Sequence, residues 1–197
     1  MTDTRDGRTY KTVTIGTQTW MAQNLNYKTE YSSHCYNDSA TYCSKYGRLY
    51  SWGAAMDSVG TWSVNGEGCG FNKKCSPKHP ARGVCPEGWH LPTRKEWETL
   101  FNAIGGLSNA STLKSTSGWT NDGNGTDAFS FSALPAGFRD YYGRSRSEGD
   151  YAYFWSSSEY DSGHASHMYL YYGTDFAKLT DTAHSMLYGY SVRCVKD

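Results

Sequence analysis

Six cysteines in a chain of 197 residues constrain this fold more than any other feature. Cys35 and Cys43 are close neighbours in sequence, as are Cys69 and Cys75, while Cys85 and Cys194 remain. Six cysteines can pair in many ways, and spacing alone does not choose among them. Each close pair lies in a loop rich in Gly, Ser, Asn and Lys, where a covalent staple offsets the lack of regular structure. The expected bridges are therefore Cys35–Cys43, Cys69–Cys75 and Cys85–Cys194, and bridges imply an oxidising compartment. Zinc is the competing reading, but the chain has no Cys-x-x-Cys knuckle and its Cys/His spacing matches no common site.

Lys plus Arg balance Asp plus Glu at 19 each, which leaves no overall field to attract nucleic acid or an anionic membrane. No apolar run approaches the roughly 20 residues that span a bilayer, so direct membrane insertion is not expected. The first residues, Met1 to Asp6, are polar and do not form a signal peptide. An exported protein would then carry its signal upstream of Met1. The length suits one domain over 1–197, extracellular or at a cell surface, with no linker dividing it.

Residues 8–26 read as a hairpin, with alternating strands over 10–15 and 18–22 about a turn at Gly16-Thr17. A Ser-, Asn- and Asp-rich loop follows over 30–45, then a short helix around 51–57. The stretch 58–84 is a polar loop insertion, too long to be a simple connection. In Pro92-Thr93-Arg94-Lys95-Glu96-Trp97 the spacing of Thr93 and Glu96 is that of a capping box. Trp97, Leu100, Phe101 and Ile104 then form one helical stripe, which Gly105-Gly106 stops. Strands are expected over 129–134, 151–157, 166–172, 175–179 and 190–195.

The run Asn121-Asp122-Gly123-Asn124-Gly125-Thr126-Asp127 offers oxygen ligands at Asp122, Asn124 and Asp127 for a structural calcium. It lacks the closing Glu and flanking helices of a calcium-binding hand. No other cofactor is expected.

The segment 160–190 is composed like a binding loop. Tyr, Ser, Gly, Asp, His and Thr make up 21 of its 31 residues, a mixture that supplies stiff amphipathic contact area with adaptable polar groups. The bland alternative is a half-solvated sheet, where Tyr and Thr are simply good strand formers. Alternation puts Met168 and Leu170 on one face, opposite His167, Tyr169 and Tyr171. Ala177 and Leu179 likewise alternate with Phe176 and Lys178. With the aliphatic set inward, neighbouring aromatics face outward, and a patch of them needs an explanation.

Several motifs occur in order along the chain. They include Asp6-Gly7-Arg8-Thr9-Tyr10, Gln18-Thr19-Trp20-Met21-Ala22-Gln23-Asn24-Leu25, Tyr46-Gly47-Arg48-Leu49-Tyr50 and Cys85-Pro86-Glu87-Gly88-Trp89-His90-Leu91-Pro92-Thr93. Phe131-Ser132-Ala133-Leu134-Pro135-Ala136-Gly137-Phe138-Arg139, Trp155-Ser156-Ser157-Ser158-Glu159 and Ser191-Val192-Arg193-Cys194-Val195 complete the set. Together they closely resemble the Fibrobacter succinogenes major paralogous domain over nearly the whole chain. The resemblance implies an α+β, C-type-lectin-like fold related to the formylglycine-generating-enzyme type. Such a fold has two helices around a small twisted antiparallel sheet, long irregular loops and chain ends close together. It also implies secretion or surface attachment.

The sequence departs from both relatives of that fold. The Glu-Pro-Asn, Gln-Pro-Asp and Trp-Asn-Asp tripeptides of calcium-dependent lectins are absent, and only Cys194 lies where a redox-active cysteine pair would be needed. The acids form no local constellation for acid–base work, and no Gly-x-Ser-x-Gly elbow surrounds the serines after Trp155. His164, His167 and His184, with Asp161, Asp175 or Asp181, are a minority candidate for a metal site.

The expectation is a non-catalytic ligand-binding domain whose ligand is a protein or polysaccharide on another surface. Its candidate contacts are His164, His167, Tyr169, Tyr171, Tyr172, Asp175, Phe176, Lys178, Asp181, His184, Met186 and Tyr188. Ala165, Met168, Leu170, Ala177, Leu179 and Gly189 would be fixed scaffold among them, the pattern of a protein diversified by a retroelement. The alternatives are a carbohydrate or cell-wall adhesion module, or a structural module of a larger surface protein.

Overall fold

In the computed structural model, which describes residues 1–182 and 184–197, three bridges join Cys35 to Cys43, Cys69 to Cys75 and Cys85 to Cys194. The expected pairing is the observed one. Three disulfides suggest a secreted or extracellular protein. Among the described residues no helix is long and apolar enough to cross a membrane.

The chain is α+β, with short helices and several small, mainly antiparallel sheets. The hairpin of β1 (Thr12–Ile15) and β2 (Gln18–Met21) turns at Gly16. β3 (Ser33–His34) pairs with β4 (Leu49–Tyr50), and between them lies α1 (Ala40–Tyr46). α1 occupies a stretch that reads as loop, because it has no long apolar stripe. It is held instead by the Cys35–Cys43 bridge and by the rings of Tyr42 and Tyr46, stacked one turn apart at 6.1 Å.

Next, α2 (Trp52–Ala55) is capped by Ser51, whose hydroxyl accepts from the Ala54 amide. The 58–84 insertion is irregular, as its composition predicts. It is nonetheless packed: a Cβ on Gly66 would come within 2.1 Å of the Met56 carbonyl oxygen, so only glycine lets the loop lie this close. β5 (Trp89–His90) precedes α3 (Arg94–Ala103). α3 has the predicted capping box, with Thr93 accepting from the Glu96 amide at 3.2 Å and Glu96 accepting from the Thr93 amide at 2.7 Å.

Past α3, residues 129–134 do not form the expected strand. Ser130 and Ser132 have φ of 54° and 53°, which breaks an extended run, and Asp127 accepts from the Ser132 amide and hydroxyl. β6 (Phe138–Arg139) and β7 (Ser145–Arg146) make a small hairpin. The main sheet is β10–β9–β8, from β8 (Tyr151–Glu159), β9 (Ala165–Tyr171) and β10 (Lys178–Thr180). β11 (Val195–Lys196) lies between β2 and β5, so the N- and C-terminal segments share one sheet.

The β8–β9 sheet separates two cores. Ala152, Phe154, Met168 and Leu170 pack on one side with Trp97, Leu100 and Phe101 of α3. Tyr153 and Trp155 project to the other side, into a core with Trp52, Tyr190 and the Cys85–Cys194 bridge. Arg193 is fully buried beside these layers. It donates to Asn24 Oδ1 and to the carbonyls of Met21, Phe131 and Ser132, tying the N-terminal hairpin to the 131–132 turn.

Candidate functional site

β8 and β9 pair Tyr151 with Tyr171 and Tyr153 with Tyr169, and period-2 alternation puts all four side chains on one face. The Tyr151 ring lies 4.6 Å from Tyr171 and 5.3 Å from Tyr153, while Tyr153 lies 5.2 Å from Tyr169. These are the separations at which aromatic pairs attract beyond simple burial. Toward Trp155 the face closes into the core; toward Tyr151 and Tyr171 it opens to solvent.

The rings continue beyond the strands. His184 lies 5.6 Å from Tyr153 and stacks on Tyr188 at 4.7 Å. Phe138 packs on both Tyr188 and Tyr153, and Tyr188 leads to Tyr141 and then Tyr142, which are 52% and 66% exposed. An unbroken path of ring contacts thus runs from Tyr171 to Tyr142. Arg144 stands over the Tyr142 ring at 4.7 Å and pairs with Asp140, giving the far edge a charged rim.

Of the residues expected at the site, Tyr169, Tyr171, His184 and Tyr188 are on this face. Lys178 joins them, since its register partner is Tyr169. Tyr172 touches the Tyr171 ring but packs partly against the other core, and Phe176 and Asp175 are exposed beyond the sheet edge.

Other candidates lie off the open part of this face. His167 is fully buried under the Tyr190 ring, because the second core covers that side of β9. Burial lowers its pKa to about 4, so the imidazole stays neutral. Met186 is also buried, in the core beside Trp52, and its amide donates to the Gly163 carbonyl. Asp181 faces away toward α3, where Arg94 pairs with it at 2.7 Å and Ser166 donates to it. His164 belongs to the β8–β9 turn, bonded to Asp161 at 2.9 Å.

The candidate metal set thus falls into separate groups: His164 pairs with Asp161, His184 stacks on His167 at 5.9 Å and is bonded to the Tyr190 hydroxyl, and Asp181 pairs with Arg94. Among the described residues no three His, Cys, Asp or Glu side chains converge as metal ligands. The 121–127 loop spends its oxygens internally: Asn124 accepts from the Trp119 amide and Asp127 from Ser132, while Asp122 is exposed. Its glycine at 123 is there for packing, because a Cβ would come within 2.6 Å of Tyr172.

Sequence reasoning missed Phe138, Tyr141, Tyr142, Tyr151 and Tyr153. The alternation Tyr151-Ala152-Tyr153-Phe154-Trp155 carried the signal, but it lies outside the segment that its composition singled out.

No curated protein and no solved structure matches the chain. A family model does, over residues 13–196. The chain belongs to the Fibrobacter succinogenes major domain family.

Proposed function

We propose that this is a non-catalytic, exported ligand-binding domain of C-type-lectin-like fold, and that its aromatic face takes a protein surface. The carrying observation is the continuous ring path from Tyr171 through Tyr151, Tyr153, His184 and Tyr188 to Tyr142. A broad face of mutually packed tyrosines with an arginine at its rim has the composition of a protein-recognition hot spot. Its rings are held by their neighbours before any ligand arrives, which reduces the entropic cost of binding.

The non-catalytic reading fits how the central histidines are placed: His167 is fully buried and neutral, and the hydroxyl bonded to His184 is that of the fully buried Tyr190.

The same face suits genetic diversification by a retroelement. Met168, Leu170 and Ala177 are buried scaffold, and Tyr169, Tyr171, Phe176 and Lys178 beside them are more exposed. His167, Ser166 and Met186 fall out of any variable set because they are buried. A near-identical template repeat and a reverse-transcriptase gene beside the coding sequence would be found if the segment is diversified; neighbouring DNA without them ends that part of the reading.

The test of binding is a screen of the immobilised domain against cell-surface proteins and cell-wall glycans, with and without EDTA. Capture of a protein that disappears in a Tyr171→Ser/Tyr188→Ser variant of unchanged fold supports the proposal. Protein capture indifferent to that variant, or no capture of any protein, defeats it.

A further inference from the structure

A cleft of about 460 Å³ opens between the 27–32 segment and the chain around α2 and its following loop, and none of its lining residues belongs to the aromatic face. Its size is that of pockets holding small ligands, roughly 300–1,000 Å³. We propose that this cleft is a second binding site and that it takes a neutral oligosaccharide.

Three aromatic rings line it: Tyr27, Tyr31 and Trp62. Trp62 stands apart from the other tryptophans. Trp20, Trp52, Trp89, Trp97, Trp119 and Trp155 are all buried, whereas Trp62 keeps part of its ring at the surface of the cleft. Tyr31 and Val59 at the cleft are 61% and 62% exposed, so apolar area is held open to water there. Apolar surface left open beside a cavity marks a contact region.

The cleft is built in advance. Trp62 meets Tyr27 edge to face at 5.6 Å and 85°. The carboxylate of Asp57 accepts from the amides of Thr61, Trp62 and Ser63, which fixes the loop that carries the indole. A site already rigid loses little entropy when a ligand enters.

Charge selects the ligand class. Arg5 is paired with Asp3 through two bonds of 2.8 and 2.7 Å, and its guanidinium lies 4.0 Å from the Tyr27 ring centre and 5.1 Å from that of Trp62. Both rings thus already serve a cation, and a second one across either ring would meet like charge. An anion is not favoured either, since Asp3 neutralises Arg5 and the lining carboxylates Glu30 and Asp57 outnumber Lys28.

A neutral ring bearing C–H bonds on its faces and hydroxyls at its edge meets these conditions. Its faces pack on the aromatic rings. Its hydroxyls find the side chains of Ser32, Ser58 and Tyr31, which make no side-chain hydrogen bond among the described residues. That chemistry is a saccharide.

The experiment is acrylamide quenching of tryptophan emission, which reads Trp62 selectively because the other six indoles are buried. Cellohexaose, xylohexaose and mannohexaose are the probes, with choline chloride as the cation arm. At least one hexaose is expected to cut the quenchable fraction by about half, with choline inert. By calorimetry, Trp62→Ala should weaken that hexaose about tenfold or more, which corresponds to about 1.4 kcal/mol. Tyr31→Ser, at an exposed position, provides a second variant that does not depend on the fold surviving loss of Trp62, and should also weaken it.

Protection by no hexaose overturns the assignment, as does protection by choline. Hexaose binding lost in Tyr171→Ser but kept in Trp62→Ala would put the sugar on the aromatic face and also overturns it. The screen that tests the aromatic face reads protein capture, so either site can fail while the other stands.

Discussion

The imidazole of His167 lies 5.1 Å from the ring of Tyr190, beneath the aromatic face, with Nδ1 toward the Ala165 carbonyl and Nε2 buried without a partner. Burial lowers its pKa from 6.5 to about 4. The unfolded chain therefore binds a proton in this window that the folded chain refuses. Stability contributed by this histidine is full above about pH 6.5 and falls as pH drops toward 4, by roughly 3 kcal/mol. Urea unfolding of a His167→Phe variant should show a shallower loss between neutral pH and about pH 4.5; an unchanged slope would remove His167 from the account.

His90 acts with the opposite sign. Burial pulls its pKa down, but hydrogen bonds to Glu96 and Asp197, both 2.7 Å, outweigh that and raise it above 6.5. Its contribution is complete below about pH 6.5 and is lost as pH rises through the raised folded value. Melting temperatures of the wild type and His90→Gln, compared from about pH 6 to about pH 9, should converge toward the alkaline end. A constant gap would contradict the linkage.

Binding and structural roles of the tyrosines separate by depth. Tyr171 and Tyr188 are partly exposed, so each change to Ser should cost only about 1 kcal/mol. Tyr153 and Tyr190, at 5% and 0% exposure, belong to the core, and truncation there should cost about 3–5 kcal/mol. If the two pairs destabilise equally in denaturant titrations, the face is structural throughout.

Met186 and Leu187 are adjacent yet opposite in role, at 1% and 47% exposure. Met186→Ala is expected to cost about 2–5 kcal/mol. Leu187→Ser should stay within about 0.5 kcal/mol, the usual range for surface positions. Comparable losses at both positions would mean that this segment packs differently.

The three disulfides should differ in worth. Cys85–Cys194 spans 109 residues, against 8 and 6 for the others. On the loop-closure account its removal by a double Ser variant costs about 4–5 kcal/mol, and either short bridge roughly 2–2.5 kcal/mol. Chemical denaturation of the three double variants gives the order directly.

What the sequence by itself determined is local. The Thr93–Glu96 capping box and the stripe from Trp97 to Ile104 specify α3, because all the interacting groups lie within a few residues. Both short disulfides are legible for the same reason. So is the alternation that turns Met168 and Leu170 inward, since strand period alone sets it. Only the tertiary structure decided what lies over the other face of β9. There a second core buries His167, and the 184–190 return brings Met186 into that core. The aromatic face likewise joins Phe138 and Tyr141–Tyr142, Tyr151 and Tyr153, Tyr169 and Tyr171, and His184 and Tyr188 across four separate stretches of chain. Strand period assigns residues to faces but carries no information about which distant segment will cover a face, and burial depends on that covering.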